Sequence, residues 1–487
     1  MPRCLPPGRL AALAALAALA VATAPAPARA AGAWTSYLRM ESCNDMLAFA
    51  DTVWLASGEA GVVRYLRSAG GWDSFTHEPG GLAGNATGPL AFDRSGNLWV
   101  GVQGRGLSRL APDRTHWVLF NGFDGLPSDT ITVLRPQGDT LWIGTAHGLA
   151  LWDGHEIAGS VPDVGQPPPF ANPTITGIVV YGDTLFVSTP AGIYLSRISR
   201  QLQGWTVADS GLIGPDVFGL AYDGRTLMAL STKSNVVGTL TWDNAAGVWR
   251  AAFGNSDVQR IRDDNGHILS ISSQGTYAWT GSGWTLLPGS PTTLPNVSGG
   301  GVEIGADPAG NAFAFRDDRL YEQSGGAFTA HLTPGPPEND FFNVAVRGQD
   351  VYVATRKVGF GRLRNGVWRN YTPGTGCGAG CDTSFDDPAF PFAMLVDPEG
   401  PMWVACWSAA ITRFDDRVDP PVFQNLRYAD AFDADHHTWG WSAAVDSNAN
   451  VHARGRWFGM DTPLLGSPGF DPIGIDVYDG NGNHLRS

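Results

Sequence analysis

One phrase recurs through most of this chain, and it limits the available folds more than any single residue does. GDTLWIGTAHGLALWDG runs from Gly138 to Gly154, with degraded copies at GNLWVGVQGRGLSRLAP from Gly96, DTVWLASGEAGVVRYL from Asp51 and GDTLFVSTPAGIYL from Gly182. Aligned on the large residue of the LW position, the copies give Trp54, Trp99, Trp142, Phe186, Met228, Leu269, Phe313, Tyr352, Trp403 and His452, spaced by 39 to 51 residues. A period in the forties marks one supersecondary unit used over and over.

Each unit has the same internal grammar. An alternating apolar stretch such as Ile131 to Leu134 comes first, followed by a Gly/Asp/Asn turn. The LWIGT stretch and a second hairpin arm follow, and often a last strand opening on an aromatic residue: Trp72, Trp117, Trp205, Trp249, Trp284, Phe328 or Trp368. Four short strands with period-two patterning and regular turn signals describe one blade of a β-propeller, so the fold class read here is all-β. Turn residues such as Gly138-Asp139 and Asn265-Gly266 tolerate positive φ. The aromatic residue after the turn fills the wedge between sheets, and Gly144-Thr145 sits where strands converge.

Units fall near 44–85, 86–129, 130–173, 174–216, 217–257, 258–296, 297–340, 341–392, 393–441 and 442–487. The last one stops after a third strand, Ile473 to Tyr478, whereas Trp34-Thr35-Ser36-Tyr37 reads as a fourth strand with none before it. The expectation is a single large ring closed by that N-terminal strand, with two smaller or truncated rings as the alternative. Residues 1–30 read as a signal peptide: Arg3 and Arg9, an apolar run from Leu10, and a small-x-small site at Ala28-Arg29-Ala30. The expected mature protein starts near Ala31 and is exported to the periplasm, cell surface or medium, with no transmembrane segment.

Composition narrows the function. Charged residues are 16%, Gly and Pro number 63 and 34, and there are 18 Trp, which suits short strands and tight turns. A net charge of −14 argues against a nucleic-acid partner, which demands clustered Lys and Arg. No HExxH, P-loop, GxSxG elbow or heme-attachment motif is present, and no cofactor is called for.

The strings GNLWVGVQGRGLSRL and LFNGFDGLPSDTITVL resemble the two-component-regulator propeller repeat, which reads D-x-x-GN-LW-[IV]-GT-x-GGL followed by an aromatic strand and a GLP-type loop. The opening Trp34-Thr35-Ser36-Tyr37 with the unit around Trp54 resembles the N-terminal propeller of PorZ-type proteins of the type IX secretion system. The resemblance covers residues 34 to 487. It implies an extracytoplasmic propeller that senses or binds ligands, often glycans, or acts in surface attachment. No kinase or DNA-binding region and no C-terminal sorting domain accompanies the repeats.

Several residues stand out beyond the repeat. The turns Asp93-Arg94-Ser95-Gly96-Asn97, Asp397-Pro398-Glu399-Gly400 and Asp446-Ser447-Asn448-Ala449-Asn450 look like calcium loops, but their recurrence at one place in the unit makes them hairpin turns whose Asp caps its own backbone. Asp433, Asp435, His436 and His437 form a weak metal-like cluster without a full ligand set. After export four cysteines remain, Cys43, Cys377, Cys381 and Cys406, all disulfide candidates on one face; Cys377–Cys381 and Cys381–Cys406 are both feasible. The same face would carry Arg105, His147, Arg356, Lys357, Trp407, Arg454, Arg456 and Trp457. Rings beside guanidinium groups suit a sugar or an acidic polymer, but inter-blade packing of Trp407 and Trp457 and solvated arginines are the readier reading.

The function so read is an exported binding module for a glycan, surface polymer or protein. The alternatives are a propeller polysaccharide lyase or glycosidase, whose paired carboxylates would have to come from different blades, and an accessory factor in secretion or envelope assembly.

Overall fold

The computed structural model describes residues 37–487 except 79, 162–168, 201–202, 234–235, 253–257, 292–301, 317, 357–358, 372–390, 397–400, 407–410, 419–420, 427–436, 446–450, 459–471, 479–483 and 487. The described residues form ten four-stranded antiparallel sheets, each built from consecutive strands. They are numbered here in chain order: sheet 1 (45–75), sheet 2 (87–120), sheet 3 (131–161), sheet 4 (177–207), sheet 5 (216–251), sheet 6 (258–286), sheet 7 (303–332), sheet 8 (341–371), sheet 9 (391–426) and sheet 10 (437–486).

The repeat's large residue does what its position suggests. Trp54, Trp99, Trp142, Phe186, Met228, Leu269, Phe313, Tyr352 and Trp403 are all buried. Trp99 of sheet 2 packs with Leu141, Ile143 and Trp152 of sheet 3, and Trp142 of sheet 3 packs with Leu185, Val187 and Tyr194 of sheet 4. Each core is therefore shared between two sheets, so a sheet is stable only when stacked on its neighbours. At Gly144 a Cβ would run into Val133 and Ile175, which is why the position after the aromatic stays small. Gly106 is a sharper case. Its φ is +95°, and a Cβ there would strike the Phe120 carbonyl oxygen. Gly106→Ala is expected to cost on the order of 1–3 kcal/mol, read as a lower urea midpoint, because it combines left-handed backbone with a backbone collision.

Ring closure departs from the first expectation. The first strands of sheets 1 to 7 pack in succession, and that of sheet 7 (Glu303–Ala306) packs back on that of sheet 1 (Asp45–Ala48). Sheets 8, 9 and 10 stack separately, through the first strands Phe341–Arg347, Pro391–Val396 and His437–Val445. The single ten-unit ring is thus corrected in favour of the alternative: a closed ring of seven blades followed by three blades of a second stack. Sheet 10 takes its fourth strand, His484–Arg486, from its own end of the chain rather than from the N-terminus. Trp34 to Ser36 lie outside the described residues, and Tyr37 lies edge-on to Trp368 of sheet 8, 6.1 Å between centroids.

No strand is exchanged at the seam between sheets 7 and 1; side chains close it. Arg67 reaches Glu322 at 2.7 Å and Asp307 at 3.1 Å, its guanidinium 5.1 Å from the Phe313 ring centre. Tyr65 and Glu322 hold His331 between them, at 3.0 and 3.1 Å. Beneath lie Met40, Met46, Phe313, Phe315 and Leu320. The chain joins and leaves the ring at one doorway. The Arg39 backbone N–H donates to the Asn339 side chain, and the Asn339 side-chain amide donates back to the Arg39 carbonyl, both at 2.8 Å. The Arg39 guanidinium donates to the Pro337 carbonyl at 2.7 Å and pairs with Asp318.

Candidate functional site

The first strands of sheets 1 to 6 surround a central cavity of about 610 Å³. Its mouth is shaped by β-bulges. In sheets 3, 5 and 6 the pairing of the first strand with the second skips one residue near its start: Thr132, Phe218 and Gln259. In sheet 2 the skipped pair is Gly88-Pro89. A bulge frees a residue from the ladder and re-aims its side chain, and bulges concentrate beside functional sites. Thr132 and Phe218 line the cavity, Phe218 being 59% exposed, together with the half-exposed Arg260. The Thr132 hydroxyl and the Arg262 Nε, both on lining residues, are buried without a hydrogen-bond partner.

Deeper in, charges are paired across the ring. Arg262 of sheet 6 pairs with Asp45 of sheet 1, with Glu303 of sheet 7 at 3.2 Å, and donates to the Met46 carbonyl. Asp45 also accepts from the Leu90 N–H of sheet 2 at 2.6 Å. Arg260 pairs with the fully buried Glu303. Burial disfavours the charge on Arg262, but Asp45 and Glu303 more than compensate and raise its pKa. Burial pushes the Glu303 carboxyl up, against the pull of Arg260 and Arg262. Asp264 accepts long hydrogen bonds from the Ala48 and Ala306 N–H groups, 3.4 and 3.3 Å, and burial pushes it up to about 7. It reaches sheet 1 past Gly305, where a Cβ would lie 3.2 Å from both Asp264 and Met46. Arg135 of sheet 3 pairs with Asp263 of sheet 6. Those blades are not neighbours, so this pair crosses the channel.

The sequence-derived candidates separate into two groups. Arg105 and His147 are exposed in the turns between second and third strands of sheets 2 and 3. The loop 121–130 runs between them: the Gly106 N–H donates to the Asp129 carbonyl on one side, and the Ala146 N–H to the Thr130 carbonyl on the other, both at 2.9 Å. Arg356 occupies the equivalent turn of sheet 8, 3.4 Å from Asp340, and so belongs to the other stack. Arg454, Arg456 and Trp457 lie in Val451–Phe458 of sheet 10, also in that stack; Lys357 and Trp407 lie outside the described residues. Arg356, Arg454, Arg456 and Trp457 thus belong to a different stack from Arg105 and His147.

Cys43 is a free, half-buried thiol that donates to the Asp45 carbonyl at 3.2 Å, and burial pushes its pKa well up. Cys377 and Cys381 lie outside the described residues, and Cys406 ends the second strand of sheet 9. Asp433, Asp435 and His436 also fall outside, while His437 begins the first strand of sheet 10. Among the described residues no group of three or more metal-ligating side chains comes together. Asp93 behaves as a turn residue: its carboxylate accepts from the Asn97 N–H at 2.9 Å, the Asn97 amide at 2.8 Å and the Trp99 indole at 2.9 Å. Asp307 repeats that pattern on Asn311, whereas the turns at 397–400 and 446–450 are outside the described residues.

Sequence reasoning missed Phe123, Phe218 and Arg260. A bulge is a property of pairing and leaves no fixed residue signature, so Phe218 could not be told from a core residue. Phe123 had a visible signal, an aromatic residue inside NGFDGLP, a segment otherwise made of turn formers.

A closed ring of four-stranded blades around a lined channel defines a β-propeller. The sequence matches no family model and no curated protein. Among solved structures it is similar to PorZ, an essential surface component of the type-IX secretion system of Porphyromonas gingivalis. The TM-score is 0.64 at 15% identity, over 92% of this chain and 59% of PorZ, so the chain spans about three fifths of PorZ's length. An ancestral GH74 enzyme aligns with TM-score 0.51 at 11% identity, covering 94% and 85% of the two chains. The extracellular domain of BT4673 from B. thetaiotaomicron, named a one component system, gives 0.44 at 14% identity over 93% and 67%. At such identities the likeness is one of fold, that of a β-propeller. No helix among the described residues is long and apolar enough to cross a membrane.

Proposed function

We propose that this chain is an exported binding module that recognises a glycan or surface polymer at the channel mouth of its seven-bladed ring. The observation that carries this reading is the cavity of about 610 Å³ whose mouth presents an exposed aromatic ring, Phe218, beside a half-exposed guanidinium, Arg260. A concave site with a few convergent polar groups is the ordinary form of a ligand pocket. An aromatic face stacks on the apolar side of a sugar while Arg donates to its oxygens. The channel's carboxylates favour binding over hydrolysis: Asp45, Asp263 and Glu303 are ion-paired, and Asp264 is held by backbone N–H groups. The signal-like N-terminus and the likeness to PorZ, a surface component, support a location outside the cytoplasm.

Affinity electrophoresis against β-glucan, mannan, dextran and polygalacturonate, with a parallel assay of reducing-end release, tests the reading. Retardation without cleavage is expected. Phe218→Ala should weaken it about tenfold, the worth of one lost stacking contact. Release of reducing ends would replace the reading with an enzymatic one, and retention by none of the polymers would overturn it.

A further inference from the structure

We propose that the loop 121–130 forms a second subsite on the rim, where Phe123 stacks on a sugar unit of an extended polymer whose neighbouring units enter the channel mouth. This inference rests on the glycan reading above and adds to it the site and the polymeric nature of the ligand.

Phe123 is the most exposed large apolar side chain among the described residues, at 102%. It is not on a loose tip. It sits in a short 3-10 turn, Gly122–Asp124, closed by reciprocal caps: the Asn121 side chain accepts from the Phe123 N–H at 2.8 Å, and Asp124 accepts from the Asn121 N–H at 2.9 Å. The Gly122 N–H donates to Asp129 at 2.8 Å, pinning the turn to the far end of the loop. Gly125, at φ +104°, ends the turn, and Leu126 is buried beneath it. A turn closed by this many contacts loses little further backbone freedom when something stacks on its exposed ring.

Its surroundings carry the rest. The loop is hydrogen-bonded to the turns bearing Arg105 and His147, one on either side. Both side chains are exposed. The turns on either side of the loop thus each carry a side chain able to donate to a sugar's hydroxyls. The loop also runs straight into the cavity: from Asp129, bound to the Phe123 turn, to Thr132 at the mouth is three residues, a reach of at most ~10 Å. That edge of the mouth thus lies within reach of an oligosaccharide that has one unit on Phe123. The ligand proposed for rim and mouth together is a linear polyhydroxylated polymer.

Isothermal titration of the full chain with disaccharides and hexasaccharides of β-1,4-glucan, β-1,4-mannan and polygalacturonate tests this. The wild type is expected to bind a hexasaccharide more tightly than the matching disaccharide. Phe123→Ala should remove that advantage, weakening the hexasaccharide about tenfold and leaving the disaccharide unchanged. Phe218→Ala should weaken both. If Phe123→Ala leaves hexasaccharide affinity intact while Phe218→Ala lowers it, the rim subsite is overturned and the channel-mouth reading stands. If no oligosaccharide binds the wild type, both fall together.

Discussion

Asp416→Ala should destabilise the second stack by about 3–5 kcal/mol, the cost of leaving buried charges without their partner. Asp416 follows the third strand of sheet 9, and its side chain is 1% exposed. Arg347 pairs with one carboxylate oxygen; Arg362 at 2.5 Å and the Tyr352 hydroxyl at 2.9 Å take the other, all from sheet 8. Burial alone would raise the Asp416 pKa, but the hydrogen bonds from Arg362, Arg347 and Tyr352 outweigh it and hold the carboxyl low. Removing Asp416 strands two guanidinium groups in an apolar seam that also contains Phe360, Tyr371 and Phe414. Hydrogen exchange followed by mass spectrometry should show lost protection in residues 341–426 and none in 45–332. The triple change Arg347→Met, Arg362→Met and Asp416→Leu should recover most of the loss, because an apolar set of similar volume avoids the desolvation cost. With the folded pKa depressed, the wild-type advantage should be full above the ordinary carboxylate range and be lost as pH falls below that range through the lower folded value. Equal deprotection of both stacks would refute this assignment.

Asp264→Asn should act with the opposite sign, stabilising the ring at pH 8 and changing little at pH 4. In the folded chain Asp264 is pushed to about 7 by burial, ahead of the opposing pull from Arg262 and the two N–H groups. In the unfolded chain it releases its proton near 3.8. A folded pKa above the unfolded one means that the favourable contribution is fully present below about 4 and is lost as pH rises through about 7. At about 1.4 kcal/mol per unit of difference, the gain at pH 8 should be a few kcal/mol. The amide oxygen still accepts from the Ala48 and Ala306 N–H groups, so the contact between sheets 6, 7 and 1 survives. Urea midpoints at the two pH values decide it. An equal shift at both would mean that the substitution acts through packing and not through ionisation.

These two residues also mark where sequence reading stops. The blade was legible because its second strand must place one large side chain between sheets every forty-odd residues, and Trp99, Trp142 and Trp403 do so. The turns were legible because Asp93 and Asn97 interact only with local groups. The size of the ring was not. Sheets 7 and 8 use the same strand pattern, and closure after the seventh depends on contacts such as Arg262 with Asp45, 217 residues apart. No local pattern encodes which distant Asp an Arg will meet. The same limit scattered the candidate site. Arg105 and Arg356 sit at equivalent places in their units, and equivalence within a repeat says nothing about which stack a unit joins. Phe218 faces the mouth because a bulge skips it in the ladder, which the string DVFGLAY does not announce.

The doorway formed by Arg39 and Asn339 gives the ring an unusual relation to mechanical load. A pull applied between the first described residues and sheet 8 is transmitted through two backbone-to-amide hydrogen bonds and the Arg39–Pro337 contact, not along the 300 residues of chain between them. Tension is shunted past the seven blades. As long as that short circuit holds, a force on the chain leaves the channel undeformed, and the ring begins to stretch only after the clasp has parted.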